Sequence, residues 1–240
     1  MVNQELVTRA LVELADTLVD DYDVIEFLQV LTSHCTGLLG TTEAGVALAD
    51  EQGRLRVLAS SSERMRLMEL IEVQSDDGPC LDVWRDGEPV RSDRLADDTD
   101  RWPRFAPAAL EIGFRSVYAI PLRLRHHRIG ALNLFGHQEH ALSIDDQALA
   151  QAMADVATIG ILHERFLREQ HDLADQLQGA LTSRITIEQA KGVIAEQRGL
   201  DVDEAFMVLR GFARSHGRRL ADVAGDVVHR RLLVNRSDRD

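Results

Sequence analysis

The chain has 240 residues, of which 40 are acidic and 27 are basic, so its formal net charge is −13. Hydrophobic residues make up 45% of the chain, as in globular proteins, and no run of about 18 uncharged apolar residues predicts a membrane-spanning helix. The two cysteines, Cys35 and Cys80, are too few for a disulfide framework or a cysteine-based zinc site.

The N-terminal residues predict two amphipathic helices. Apolar residues recur at steps of three and four from Leu6 to Leu18 and again from Val24 to Leu38, which is the period of a helix with one apolar face. The same segment mixes acidic and apolar residues and lacks the separate basic and apolar zones of a signal peptide. We therefore expect a cytoplasmic protein.

The residues up to about 146 also contain strand patterns. Two short runs, 44–49 and 54–59, are separated by a turn with Gly53 and predict a β-hairpin. Residues 116–122 and 129–135 predict two more strands. Strands that form hairpins and are separated by helices are typical of an antiparallel sheet with helices packed on it, so we expect an α+β fold.

Residues 144–184 predict one long helix with a narrow apolar seam. The seam repeats at alternating steps of three and four, as in a coiled coil. To about Ile161 the helix could pack on its own sheet, but polar residues flank the seam further on, which favours a two-chain coiled coil over 160–182. The seam consists of Leu149, Ala152, Val156, Ile159, His163, Phe166, Gln170, Leu173, Leu177, Ala180 and Arg184.

In the last 59 residues the spacing of apolar residues predicts helices throughout. This region carries a net charge of +2, whereas the preceding residues are strongly acidic. Gly199 ends the long helix, and Asp201 with Glu204 matches a capping box that opens a second helix. Gly217 ends that helix, and the apolar spacing from Leu220 to Val228 predicts a third. The charge asymmetry hints at an anionic partner, although an ordinary neutral surface would give a similar count.

The C-terminal region contains a specific string, Glu-Gln-Ala-Lys-Gly, at 188–192. Glu204-Ala205-Phe206, Leu209-Arg210 and the segment 219–224 follow it in order. Over about 180–232 this pattern resembles the ANTAR domain. The resemblance implies RNA binding: ANTAR proteins recognise paired short hairpins and prevent transcription termination or change access to the ribosome-binding site.

The N-terminal region resembles a GAF domain over about 20–165. The resemblance rests on Asp77-Gly78-Pro79-Cys80, Gly87-Glu88-Pro89-Val90, Gly113-Phe114-Arg115-Ser116, Ile120-Pro121-Leu122 and the segment 129–134. It implies a sensory fold, and a GAF domain followed by an ANTAR domain is a known bacterial arrangement. We therefore expect a GAF domain at 1–160, a coiled-coil helix at 160–182 and an all-α, three-helix ANTAR domain at 183–234.

RNA binding needs cations for phosphates and polar groups for bases. Lys191 is the single lysine, and the small residues beside it would allow RNA to approach closely, although Gly192 could instead serve helix packing. Phe206 and Phe212 are interpreted as core residues, and the arginines could pair with Asp201, Asp203 or Asp222. The candidate RNA-binding residues are Ser183, Arg184, Gln189, Ala190, Lys191, Gly192, Arg210, Arg214, Arg218 and Arg219.

The GAF region gives weaker signals for a ligand. Its candidate ligand-binding residues are Cys80, Trp84, Trp102 and Phe105, although Trp102 could simply anchor a loop. A GAF domain without a ligand, serving structure or dimerisation, is an equal alternative. We expect no cofactor and no metal, and the chain contains no P-loop, HExxH or GxSxG motif, so we do not expect an enzyme.

The sequence as a whole predicts a cytoplasmic RNA-binding regulator that acts as a homodimer through the coiled coil. A DNA-binding transcription factor that uses the last two helices as a helix-turn-helix is the main alternative. A ligand sensor whose C-terminal region binds a protein is a third. The sequence specifies neither the ligand, the transcript nor the direction of regulation.

Overall fold

The computed structural model describes residues 4–17, 22–39, 41, 43–140 and 142–232. Leu18, at the end of the first predicted helix, lies outside the described residues, as do the last two residues of the predicted third domain, 233–234. The chain divides into two compact units, 1–165 and 166–240, which we describe separately. None of the helices in the described part is both long enough and apolar enough to cross a membrane.

The first unit contains a five-stranded antiparallel sheet with strand order β2-β1-β5-β4-β3. The predicted antiparallel α+β fold is therefore confirmed, together with both predicted strand pairs. The short strand β3 gave no signal because three residues cannot establish an alternating pattern. The strands are β1 Glu43–Ala49, β2 Leu55–Ser60, β3 Val90–Ser92, β4 Ser116–Leu124 and β5 His127–Gly136.

Helices cover both faces of this sheet. The helices are α1 Gln4–Thr17, α2 Val24–Leu38, α3 Glu63–Ser75, α4 Pro79–Asp86 and α5 Phe105–Ile112, with a short 3-10 helix at Leu95–Asp97. Because neighbouring strand residues point to opposite faces, Leu132 packs in the core beneath α2, whereas Ala131 packs in the core beneath α3, α4 and α5. The second of these cores contains the groups considered for ligand binding below.

One helix, α6, runs from Ile144 to Arg198 and has 55 residues. It buries one face against the first core through Ala150, Met153, Ala157 and Ile161. None of the predicted seam residues is buried: Leu149 and Val156 are partly buried against the first core, whereas Phe166, Leu173 and Leu177 are exposed. The start of the predicted seam therefore borders the stripe that packs on the sheet, and from Phe166 to Leu177 the apolar seam residues are exposed.

The second unit combines the end of α6 with α7 Val202–Ser215 and α8 Leu220–Val228. Its core contains Ala190 and Ile194 from α6, Leu209 from α7, and Val223 and Val227 from α8. The predicted capping box is confirmed: the Asp201 carboxylate accepts a hydrogen bond from the Glu204 amide at 2.7 Å, and the Glu204 carboxylate accepts one from the Asp201 amide at 3.2 Å. The predicted arrangement of three helices is also confirmed.

Candidate nucleic-acid interface

Three arginine side chains of the second unit are exposed and are not paired with a carboxylate among the described residues. Arg184 on α6 and Arg210 and Arg214 on α7 are exposed, and none has an acidic partner among the described residues. Arg210 and Arg214 are one helical turn apart, so their side chains lie side by side on the surface of α7. An exposed guanidinium group without a carboxylate partner can donate several hydrogen bonds to a phosphate.

Arg218 and Arg219, by contrast, are paired with carboxylates. The Arg218 Nη2 lies 2.6 Å from Asp226 Oδ2, and the Arg219 Nε lies 3.0 Å from Asp222 Oδ2. Asp222 was among the partners considered from the sequence, whereas Asp226 was not. Surface ion pairs of this kind contribute about 0–1 kcal/mol, so a phosphate can compete with the carboxylate for either arginine.

Lys191 is tethered rather than free. Its Nζ lies 3.0 and 2.9 Å from the two carboxylate oxygens of Glu188 and 5.6 Å from the centre of the Phe206 ring, and its side chain is 13% exposed. Glu188 belongs to α6 and Phe206 to α7. The ammonium group therefore joins two helices of the unit, a role that the sequence did not indicate.

The other candidates near Lys191 differ in accessibility. Ala190 is fully buried in the helical core, so its side chain is not accessible to RNA in this structure, and its contact with RNA stays a prediction. Gln189 and Gly192 are exposed, and Ser183 is partly buried. A Cβ added at Gly192 would meet no atom within 4 Å, which argues against the alternative that this glycine is needed for helix packing.

The tether at Lys191 leads to a testable prediction. We expect Lys191→Ala to lower the free energy of unfolding by about 1 kcal/mol, because it removes a cation–π contact and a partly buried ion pair. We also expect weaker RNA binding with an unchanged salt dependence, because the lysine acts by holding α7 on α6. Urea denaturation and RNA titrations over a salt series measure both effects. A reduced salt dependence at unchanged stability would instead assign Lys191 to phosphate contact.

Two aromatic side chains that we interpreted as core residues are only partly buried. Phe206 lies next to the Lys191 ammonium group, and Phe212 stacks on His216 with ring centres 3.9 Å apart and an interplanar angle of 17°. His216 is exposed. The i, i+4 spacing of Phe212 and His216 at the end of a helix is the sequence signal that could have revealed this pair.

The candidate ligand-binding residues of the first unit are packed against protein atoms. Cys80, Trp102 and Phe105 are buried in the core beneath α3 to α5, and Trp84 is half-buried with the Arg128 guanidinium 5.8 Å from its ring. The Trp102 indole donates a hydrogen bond to Asp82 at 3.0 Å, as expected for a side chain that anchors a loop. Burial raises the pKa of the Cys80 thiol, so it stays protonated at neutral pH.

A buried polar cluster beside Cys80 was not predictable from the sequence pattern. Glu69 and Glu72 of α3 are buried in the core, where Glu69 contacts Asn133 of β5. Glu69 accepts hydrogen bonds from the Ser60 hydroxyl at 2.8 Å and from the Asn133 amide at 3.3 Å, and Glu72 accepts one from the Cys80 backbone amide at 2.5 Å. Burial raises the pKa of Glu69 to about 8 and that of Glu72 well above its usual value.

Comparison with known families accounts for both units. A GAF domain family model matches residues 21–161, and an ANTAR domain family model matches residues 175–228. The chain is a GAF–ANTAR protein. ANTAR domains are RNA-binding domains of antitermination regulators and GAF domains are sensor domains, so both parts of the GAF–ANTAR protein are regulatory and no catalytic family is indicated.

Solved structures of other GAF domains share the fold of the first unit. The GAF–ANTAR protein is 14% identical to the GAF domain of a phosphoenolpyruvate-protein phosphotransferase from Acinetobacter, with a TM-score of 0.54 and coverage of 69% of this chain and 96% of that one. For a phycoerythrobilin-bound GAF domain of a cyanobacterial phytochrome, the identity is 15%, the TM-score 0.54 and the coverage 70% and 99%.

A substrate-bound free methionine-R-sulfoxide reductase from Neisseria meningitidis is also similar. Its identity is 17%, its TM-score 0.53 and the coverage 68% of this chain and 90% of that one. At such low identities these structures establish the fold of the GAF–ANTAR protein and nothing about its ligand. A search among curated proteins found no match.

Proposed function

We propose that this GAF–ANTAR protein binds paired hairpins in target transcripts and thereby controls transcription antitermination or translation. In this proposal residues 183–234 bind RNA, residues 160–182 form a coiled coil between two copies, and residues 1–160 act as a sensor or a dimerisation module. The RNA-binding residues are those of the predicted set other than Ala190, and within this set Lys191 acts indirectly by holding α7 on α6.

The observation that carries the proposal is the free charge on α6 and α7. Arg184, Arg210 and Arg214 are exposed and have no acidic partner among the described residues. Most of the affinity of a nucleic-acid-binding protein comes from cations that neutralise phosphates, and unpaired cations do so without first breaking an ion pair. The remainder of the chain is strongly acidic, so this surface is where a polyanion would be expected to bind.

The helix-turn-helix alternative meets an electrostatic objection. In that geometry α8 would be the recognition helix in the major groove of DNA. Residues 220–228 contain no lysine or arginine, whereas they contain Asp222 and Asp226. Both carboxylates are paired with Arg218 and Arg219, so α8 presents no net positive charge to the phosphates that line the groove. The charge distribution therefore favours RNA contact through α6 and α7 over insertion of α8 into duplex DNA.

The proposed dimer rests on the seam of α6. Phe166, Leu173 and Leu177 recur at coiled-coil spacing and are 56%, 49% and 63% exposed in the single chain. A second copy of the same helix is the partner that matches a self-complementary seam, since symmetric pairing brings each apolar residue against its equivalent. Two copies would hold two RNA-binding modules together, one for each hairpin.

We expect the full-length protein to bind an RNA with two hairpins about 10²–10⁴ times more tightly than the same RNA with one hairpin unfolded by base changes, because the second contact is intramolecular. Fluorescence anisotropy with hairpin pairs from the protein's own leader transcripts measures this ratio. Duplex DNA of the same sequence is the control. Equal affinity for the duplex, or no difference between one and two hairpins, would contradict the proposal.

A further inference from the structure

The exposed apolar stripe of α6 departs from the predicted seam after Leu177. The predicted seam continues through Ala180 and Arg184, at alternating steps of three and four residues. The exposed apolar residues instead follow one another at steps of four, and each step turns the stripe about 40° further round the helix. These residues are Leu173, Leu177, Leu181 and Ile185, which are 49%, 63%, 53% and 50% exposed.

The predicted line of the seam would also bring two like charges together. In a parallel pair of identical helices each seam residue faces its own equivalent, so Arg184 of one copy would lie against Arg184 of the other. Burying two guanidinium groups without a carboxylate is unfavourable. Arg184 is exposed, has no acidic partner among the described residues, and belongs to the cations on which the proposed RNA binding depends. A seam through Leu181 and Ile185 leaves it at the edge of the interface.

The stripe occupies the part of α6 between two cores. On the N-terminal side Ala157 and Ile161 are buried against the sheet, and on the C-terminal side Ala190 and Ile194 are buried in the helical core of the second unit. From residue 166 to residue 185 the helix is about 28 Å long, and its apolar residues face solvent in the single chain. A second copy of the helix is the occupant that matches such a stripe, because it continues the proposed dimer seam and pairs leucine with leucine and isoleucine with isoleucine.

We propose that Leu181 and Ile185 continue the interface with a second copy of this chain, and that the seam shifts by one residue after Leu177. This inference rests on the dimer of the proposed function and specifies its register and its C-terminal limit. Successive steps of four residues locally unwind a left-handed supercoil, as insertions of four residues do. The two helices therefore untwist just before they enter the RNA-binding modules.

The register of the seam determines how the two modules face each other. A shift of one residue turns a helix by about 100° about its own axis. The end of α6 is itself the first helix of the module, because Ala190 and Ile194 pack with α7 and α8. Arg184 and the arginines of α7 are carried round with it. The shift after Leu177 thus sets the relative orientation of the two RNA-binding surfaces.

Disulfide cross-linking of the full-length protein tests the register. Single cysteines are introduced at five positions, and the wild type is the control because Cys35 and Cys80 are buried in every variant. We expect rapid formation of linked dimers at the three apolar positions, where equivalent residues face each other, and little at the other two. The variants are Leu177→Cys, Leu181→Cys and Ile185→Cys, compared with Ala180→Cys and Arg184→Cys.

The cross-linking pattern separates the possible outcomes. Efficient linkage through 180 and 184 with little through 181 and 185 would overturn the shift of register. Linkage at 177 alone would end the interface there and would also overturn the proposal. Absence of linkage at all five positions would contradict a parallel seam, and sedimentation of the same samples as monomers would contradict the proposed dimer itself.

An exchange variant tests the functional consequence. Ala180→Leu with Leu181→Ala keeps the composition and moves the leucine to the line of the predicted seam. We expect this variant to remain a dimer but to lose most of the preference of about 10²–10⁴-fold for two hairpins over one, because its modules are turned about the helix axis. Asp175→Gln with Gln176→Asp exchanges two exposed neighbours outside the stripe and should retain the preference.

Retention of the wild-type preference by the leucine exchange would overturn the proposed link between register and RNA recognition. Neither exchanged residue belongs to the RNA-binding set, so the affinity of the variant for a single hairpin should equal that of the wild type. Binding of the wild type to a single hairpin, measured in the same titrations, tests the proposed RNA recognition separately. Either proposal can therefore fail alone.

Discussion

Replacing Leu173 and Leu177 together with glutamate should convert the proposed dimer to a monomer and weaken its binding to a two-hairpin RNA by about 10²–10⁴-fold. Both leucines are exposed on α6, so in a single chain the change removes no buried contact. In a coiled coil the same two positions would face their equivalents on the partner helix. Four glutamates would then replace the apolar contacts that hold the helices together.

The expected loss is specific to bivalent binding. A monomer retains Arg184, Arg210 and Arg214 on its own RNA-binding module, so its affinity for a single hairpin should remain close to that of the wild type. Sedimentation equilibrium measures the oligomeric state, and anisotropy titrations with one-hairpin and two-hairpin RNAs measure the two affinities.

A matched control is available on the same helix. Gln176→Glu with Gln178→Glu adds the same charge to exposed positions outside the seam and should leave both the dimer and the affinity ratio intact. A leucine variant that remains dimeric would contradict the proposed interface. A monomer that still prefers two hairpins by the wild-type ratio would contradict the proposed link between dimerisation and RNA recognition.

Long and regular elements were predictable from the sequence. The period of α6, the capping box at Asp201 and the β1–β2 hairpin depend on local patterns, and all three are present in the structure. The strand β3 and the helices α4 and α5 have three to eight residues each. Such short elements form mainly because they pack against the sheet, and a local sequence pattern does not reveal that packing.

The accessibility of a site residue was predictable where it depends only on the apolar face of the helix that carries the residue. Arg210 and Arg214 lie off the apolar face of α7, and their accessibility could be deduced from spacing. Ala190 and Lys191 lie where α7 packs on α6, so their burial depends on a tertiary contact. Glu69 and Glu72 are also buried by a tertiary contact, because α3 packs on the sheet, and charged residues on a helix give no local signal of burial.

Replacing Arg210 and Arg214 together with alanine should weaken RNA binding by about 30–1,000-fold, because each arginine contributes a charge-assisted contact worth about 1–2 kcal/mol. Stability should change little, since both side chains are exposed and neither has an acidic partner among the described residues. The measurement is an RNA titration at several salt concentrations, with urea denaturation of each variant.

The salt series decides how these arginines act. If they contact phosphates, the slope of log affinity against log salt should become shallower by about 0.7–0.9 for each contact removed. Arg64→Ala removes the same charge from an exposed position on α3 of the GAF domain and should leave the slope unchanged. An affinity loss with the wild-type slope would show that Arg210 and Arg214 contribute through base contacts or through α7 itself, and it would remove the charge argument on which the choice of RNA rests.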